Sequence, residues 1–589
     1  MRALPLEYMT RIRRHLAFLY GEERAGRLLE RFALIAGRYE TVGELPRQAP
    51  AQLWSAGTNV LITYPDMVRE PARPPLATLH GFLRTHLKGT VDTVHILPFF
   101  PSSSDEGFSV TDYRQVDPEY GTWDDIRALG ADFRLMFDLV LNHASAQGEW
   151  FRQYSNGIAP YRDYFIEVDP DAWDLGKVVR PRSSPLLTTA HTAAGDRLVW
   201  TTFSPDQVDL NFANPDVLFE FIDILLFYIC QGARIIRLDA IAYLWKESGT
   251  SCIHLPQTHE VVRLLRTVVD MLAPGVLLLT ETNVPHAENV RYFGEGDEAH
   301  MVYQFSLPPL LLHALLKGDA TFLQQWARGL EPPPPGCTYL NFTASHDGIG
   351  VRPLEGIVPE EEIRGLVEAV RARGGEVSEY ATPGGGSRPY ELNITYYDAL
   401  GEPGQEDGEL HLARFLCAQT VMLSLQGIPA LYFHSLTATR NDTAAVATTG
   451  SKRAINRRRW LLHELETALH DERGPAARVF GELTRRLRLR SGCPAFHPAA
   501  GQRVLDLPPA FFGIERTTED GTRLLAVAHL GPGPSRLDLS APAGDGEWTD
   551  LIGGGTFGGQ ALQGLEMAPY QCLWLAAEGL QCGGDGDHG

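Results

Sequence analysis

Eight short runs rich in β-branched and aromatic residues, each followed by a longer helical or loop segment, constrain this chain more than any other feature. They fall at Val60–Tyr64, Thr93–Leu97, Leu135–Val140, Ala233–Leu238, Val276–Thr280, Met301–Phe305, Tyr339–Phe342 and Ala430–Phe433. Strands that are apolar nearly throughout, rather than in alternation, are buried on both faces, and a parallel sheet covered by helices buries strands in this way. Eight of them predict an α/β fold, a (β/α)8 TIM barrel.

The spacing between runs is uneven. The third and fourth runs are separated by more chain than one crossover helix uses, so the loop-rich residues 147–214 read as a subdomain inserted after strand 3. Residues 348–408, which include the Gly384-Gly385-Gly386 run, read as a lid subdomain inserted after strand 7. The barrel is then 51–146, 215–347 and 409–500. Ahead of it, 1–50 form a helical lead-in with Leu16, Phe18, Leu28, Leu29, Phe32 and Leu34 as apolar positions among arginines. Behind it, a last helix near 476–490 gives way to short strand patterns over 501–578, a small C-terminal β domain, and 579–589 read as a disordered tail.

Composition narrows the partners. With 73 acidic against 52 basic side chains the formal charge is −21, which argues against nucleic acid or an anionic membrane as a partner. Seven cysteines without a CxxC pair fit neither a disulfide framework nor a zinc site. The first twenty residues never reach the apolar run of a signal peptide or spanning helix, so the expected location is the cytoplasm. Asn341-Phe-Thr and Asn393-Ile-Thr then read as chance matches to the glycosylation triplet. No acidic loop has a calcium-binding pattern, and neither a metal nor an organic cofactor is expected. A homodimer is compatible with the sequence.

Polar residues at strand C-termini build the working face of a barrel. The third run leads to Asp138 and His143, the fourth to Arg237 and Asp239, the fifth to Glu281, and the seventh to His346 and Asp347. Two carboxylates across a sugar ring are the minimum equipment for cleaving a glycosidic bond, and a third can stabilise the oxocarbenium-like transition state. Arg237 and Asp239 are two residues apart and share one side of a strand, so the guanidinium is expected to lower the carboxyl's pKa and suit it to be the nucleophile. Glu281 follows an apolar stretch that would raise its pKa, as a general acid requires. Asp347 is left as the stabiliser.

The segments Asp138-Leu-Val-Leu-Asn-His143, Gly232-Ala-Arg-Ile-Ile-Arg-Leu-Asp239, Glu281-Thr-Asn-Val-Pro-His286 and Phe342-Thr-Ala-Ser-His-Asp347 resemble, in order and spacing, the four signature regions of glycoside hydrolase family thirteen, the α-amylase family. The likeness spans roughly residues 50–500. Within that family it is closest to the sucrose phosphorylase subfamily, through residues 95–108, 116–125, 238–252 and Ala454-Ile-Asn-Arg457. The resemblance implies the same three catalytic roles. It also implies that Asp105 and Arg457 clamp the far hydroxyls of one glucosyl unit, that His143, Gln207, Arg237 and His346 hold it, and that Phe108, Phe203 and Tyr243 wall it in.

A phosphorylase must admit phosphate, and by resemblance Arg180, Arg182, Tyr390 and Glu391 are the candidates. Sucrose phosphorylases proper carry glutamine where this chain has Glu391, and their segments at 254–259 and 437–442 differ as well. The version here looks more like the branch acting on glucosylglycerate, glucosylglycerol or sucrose 6-phosphate. An anionic acceptor such as glycerate would need a cation near Glu391, for which Arg388 is the candidate. The expected activity is retaining phosphorolysis of a small α-glucoside to α-glucose 1-phosphate, with the glucoside and phosphate as small-molecule partners. A hydrolase of the same fold (α-glucosidase or amylase) and a non-catalytic barrel serving as an interaction subunit stay open as alternatives.

Overall fold

In the computed structural model, which describes residues 4–42, 45–46, 48–182, 184–382, 386–405 and 407–583, the eight apolar runs are the strands of one closed parallel barrel. They are β1 (Val60–Thr63), β2 (Thr93–Ile96), β3 (Arg134–Val140), β4 (Ala233–Asp239), β5 (Leu277–Thr280), β6 (Met301–Tyr303), β7 (Thr338–Phe342) and β8 (Ile428–Tyr432). Each pairs with its sequence neighbour, and β8 closes on β1 through Val60 opposite Ala430. Every residue of β1, β2, β5, β6, β7 and β8 is buried, which is why these runs do not alternate. Asn341 lies on β7 and is buried, and Asn393 is buried as well, so neither triplet can carry a glycan.

The helix Pro215–Cys230 shows how a crossover is specified. Asn214 caps it by accepting from Asp216 N, proline occupies its first turn, and ten of its apolar residues are buried. At about 2–5 kcal/mol for truncating a buried leucine, Leu225→Ala would already remove a sizeable part of a domain's stability. The lead-in is a helical pair, α1 (Leu6–Tyr20) and α2 (Glu22–Val42), docked on the barrel's outer helices. His15 Nδ1 meets Glu260 Oε1 at 2.8 Å and Tyr20 Oη donates to Phe212 O at 2.9 Å. Of its apolar positions, Leu16 and Phe32 are buried but Phe18 and Leu34 are 55% and 77% exposed, because the pair presents only one narrow face to the barrel.

Residues 147–214 contain the helix Glu149–Ser155, the hairpin Leu187–Thr192/Gly195–Trp200 and the strand Gln207–Asp209, which returns to pair with His143–Ser145. Residues 348–408 contain the helix Glu360–Ala372 and the hairpin Glu376–Thr382/Gly386–Asn393. The Gly384-Gly385-Gly386 run falls largely outside the described residues. After the helix Pro475–Ser491 a six-stranded sheet over residues 501–577 forms the C-terminal domain. Two expectations are corrected at its end. Cys493 and Cys582 form a disulfide, and the Gly583 amide donates to Gly492 O at 2.9 Å, so residues 579–583 belong to the folded body. The two cysteines are 89 positions apart, a pairing that no local spacing announces. Residues 584–589 lie outside the described residues.

Candidate active site

Strand register assembles the site. Asp138 on β3 is opposite Arg237 on β4, and Leu238 on β4 is opposite Thr280 on β5, so Asp239 and Glu281 end level with each other. Arg237 Nη1 donates to Asp138 Oδ1 at 2.5 Å and to Asp239 Oδ1 at 2.8 Å, and its Nη2 lies 4.0 Å from Glu281 Oε2. His95 Nε2 is 2.7 Å from Asp138 Oδ2. Ala240, next to Asp239, takes a left-handed φ of 49°, and its N–H donates to Glu281 Oε2 at 3.0 Å. A strained non-glycine residue between two carboxylates marks backbone held for function.

From β7, Asp347 is contacted by Arg453 Nη1 at 2.6 Å, by His346 Nε2 at 3.4 Å and by Arg457 Nη2 at 3.7 Å. These groups line or back one cavity that is open at its mouth. Of the expected site residues, Asp105, Phe108, His143, Arg182, Phe203, Gln207, Arg237, Asp239, Tyr243, Glu281, His346, Asp347, Tyr390 and Glu391 line it. Arg457 lies behind the lining, with Nε donating to His346 O at 2.9 Å.

Electrostatics separates the three carboxyls. Burial pushes Asp239 well up, against the pull of Arg237, and the charges of Glu281 and Asp138 add to the rise. The expected net lowering by Arg237 is therefore corrected, because one guanidinium shared with Asp138 does not offset full burial. Glu281 is also raised, by burial first. The charge of Glu281 is among the causes of the rise at Asp239, so the two titrations are linked. Burial alone would raise Asp347, but Arg453, with Arg457 behind it, draws it below the usual carboxylate range. Burial keeps His143 and His346 neutral, and His143 Nε2 donates to Phe108 O at 2.9 Å.

The loop carrying Asp105 is held from below. Gln207 Nε2 donates to Asp105 Oδ2 at 3.1 Å. Its neighbour Asp206 accepts from Ser103, Ser104 and Ser109 hydroxyls, clamping a segment in which Asp105 and Glu106 both have positive φ. Phe108 stacks on His346 with centroids 4.9 Å apart. Phe203 packs edge-on to Tyr243 at 5.6 Å. Arg182 lies over both Phe203, at 5.5 Å, and Tyr390, at 5.6 Å, so the first insertion meets the second at the mouth.

Two candidates are elsewhere. Arg180 turns away from the cavity: Nη2 donates to Ser184 Oγ at 3.0 Å and Thr202 O at 2.9 Å, and Nη1 to Ser184 O. Its guanidinium braces the insertion's backbone. Arg388 is exposed on the hairpin, where it pairs with Glu360 at 3.1 Å. The cation beside Glu391 is Arg453. Arg453 was not singled out in the sequence, although it immediately precedes the Ala454-Ile-Asn-Arg457 segment. Also missed was Lys246, buried between Asp209 Oδ2 at 2.5 Å and Asn142 Oδ1 at 2.9 Å.

The model of the α-amylase catalytic domain matches residues 86–325. A glucosylglycerate phosphorylase of Spirochaeta thermophila is 46% identical over 97% of this chain and 99% of its own length. The chain belongs to the α-amylase family, in its glycoside phosphorylase branch. A glucosylglycerate phosphorylase of Allomeiothermus silvanus is 45% identical, covering 98% of this chain and 100% of its own. Among solved structures, the sucrose 6F-phosphate phosphorylase of Thermoanaerobacter thermosaccharolyticum superposes with a TM-score of 0.71 at 27% identity, over 82% of this chain and 94% of that one.

Proposed function

We propose that the protein cleaves glucosylglycerate with inorganic phosphate, giving glycerate and α-glucose 1-phosphate with net retention. Glu281 protonates the departing glycerate oxygen while Asp239 attacks the anomeric carbon, forming a β-glucosyl ester. The Glu281 carboxylate then takes a proton from phosphate, whose oxygen displaces Asp239 from the same carbon. Asp347, held ionised, faces the charge that develops on the ring in both steps. The observation that carries this reading is the convergence of Asp239, Glu281 and Asp347 in one pocket, at the ends of β4, β5 and β7, with Arg453 held against Asp347 at 2.6 Å.

Binding of a glucosyl unit is supported by buried polar atoms without a hydrogen-bond partner among the described residues: His346 Nδ1 has none, and Arg457 Nη2 has only the 3.7 Å contact to Asp347 Oδ1. Sugar hydroxyls satisfy such atoms, and leaving them unmatched is costly. At the mouth, Arg182 has no carboxylate partner among the described residues and presents a cation to glycerate and to phosphate in turn. The proposed reaction calls for no metal or organic cofactor. We place the activity in the cytoplasm; among the described residues no helix is long and apolar enough to cross a membrane.

The test is to incubate the protein with glucosylglycerate, glucosylglycerol, sucrose 6-phosphate and sucrose, each with and without phosphate, and to assay glucose 1-phosphate. Phosphate-dependent product is expected with glucosylglycerate ahead of the others. Glucose release at the same rate without phosphate would make the protein a hydrolase.

A further inference from the structure

Glu391 lines the cavity at the place where an acceptor would be met, yet both its oxygens are already engaged. Arg453 Nε donates to Oε2 at 3.0 Å and Nη2 to Oε1 at 2.5 Å, a fork-on-fork pair that fixes the guanidinium plane. The remaining nitrogen, Nη1, reaches Asp347 Oδ1 at 2.6 Å. One arginine thus spans from the second insertion to the end of β7.

The surrounding backbone holds that span. The Glu391 strand pairs with Ile349–Gly350, with Glu391 opposite Gly350. A Cβ on Gly350 would come within 2.5 Å of the Asn283 side-chain amide, so a larger residue there would displace that side chain of the β5 loop. Lys452 Nζ donates to Val377 O at 2.6 Å, and Asn456 Nδ2 to Asp347 O at 2.9 Å, fixing both ends of the segment that carries Arg453.

The geometry has a chemical consequence. An arginine facing Asp347 alone would form the same two-pronged pair with it and occupy both carboxylate oxygens. With Glu391 taking the Nε/Nη2 edge, a single nitrogen is left for Asp347. The stabiliser stays ionised while its second oxygen keeps only the longer contact to neutral His346.

We infer that Glu391 is a positioning residue for Asp347, acting through Arg453, and is not a ligand of the acceptor. The inference rests on the proposed phosphorylase reading for the role of Asp347. Its test uses α-glucosyl fluoride, whose hydrolysis needs neither glycerate nor phosphate, beside glycerate-dependent synthesis from glucose 1-phosphate. In Glu391→Gln, kcat should fall about 10–100-fold in both assays, the cost of a displaced catalytic group, with the KM for glycerate unchanged. Glu391→Asp, which keeps the charge, should restore part of the loss. A crystal structure of Glu391→Gln should show Arg453 rotated toward both oxygens of Asp347, a readout independent of the assays. A raised glycerate KM with unaltered fluoride hydrolysis would overturn the inference, as would an unmoved Arg453. An inactive parent protein would instead count against the phosphorylase reading and leave the crystallographic arm to decide.

Discussion

At the top of the barrel the buried Arg237 and the half-buried Arg453 face carboxylates; at its base Arg490 and Arg516 are buried against backbone carbonyls. Burial pulls Arg237 down, but Asp138, ahead of Tyr303 and Asp239, pushes it far up, and Asp347 and Glu391 do the same for Arg453. Arg490 donates to Leu423 O at 3.0 Å, Gly427 O at 3.1 Å, Phe496 O at 3.1 Å and also to Ala56 O. Arg516 donates to His497 O at 2.9 Å and Ser424 O at 3.1 Å. Burial draws both down to about 9, so both remain charged at neutral pH. They gather at the C-terminal end of the helix Glu409–Ser424, where unpaired carbonyls and the helix dipole favour a cation. The same side chain tunes carboxylates in one place and staples backbone in the other. Removing a partner at the top should therefore change rate more than stability, and at the base the reverse.

The largest effect tests the top. Asp239→Asn should lower kcat by roughly 10⁴-fold or more, as loss of a nucleophile does, while the midpoint of thermal unfolding stays level or rises because a raised, repelled carboxyl has been neutralised. Residual turnover near the parent rate would show that Asp239 is not the nucleophile. At the base, Arg490→Leu leaves at least four carbonyls without a donor. It should cost about 3–5 kcal/mol in urea unfolding, with kcat per folded molecule unchanged; a stable but slow variant would erase the distinction between the two regions.

The contrast recurs within three residues, Arg180-Pro181-Arg182. Arg182→Ala should raise the KM for phosphate about 10-fold, near 1.4 kcal/mol, without altering fluoride hydrolysis. Arg180→Ala should lower the unfolding temperature and leave phosphate KM within about two-fold. If both variants behave alike, the opposite placement of the two guanidiniums has no functional meaning.

That tripeptide also shows where the sequence stops being legible. Eight apolar runs and the polar residues that end them are local patterns, and the barrel and the convergence of Asp239, Glu281 and Asp347 follow from them through topology. The direction of a side chain within an insertion is not local. Arg180 and Arg182 have the same neighbours in sequence, and Arg388 lies closer to Glu391 along the chain than Arg453 does, yet Arg453 makes the contact. The rise at Asp239 escaped for a related reason: the i, i+2 pairing with Arg237 is visible in the sequence, whereas the second claim on that guanidinium by Asp138 and the depth of burial come from packing.

A last contrast sets the two kinds of buried titratable group against each other through pH. His434, buried at the end of β8, donates from Nε2 to Arg458 O at 2.9 Å, and its Nδ1 has no partner among the described residues. Burial pulls its pKa down to about 3, with the Arg458 carbonyl opposing and Arg459 and Arg458 assisting. The unfolded chain, with a histidine near 6.5, therefore binds the proton more readily than the folded one between pH 6.5 and 3. Stability is present above 6.5 and lost as pH falls through that window, by roughly 2–3 kcal/mol at pH 4.5. The raised carboxyls Asp239 and Glu281 act with the opposite sign, stabilising at low pH and losing that contribution as pH rises through their folded pKa values. Urea midpoints at pH 7 and 4.5 separate the two. His434→Gln keeps a donor for Arg458 O and should flatten the acid loss, whereas Asp239→Asn should steepen it. Parallel slopes in all three proteins would mean that neither group governs stability in acid.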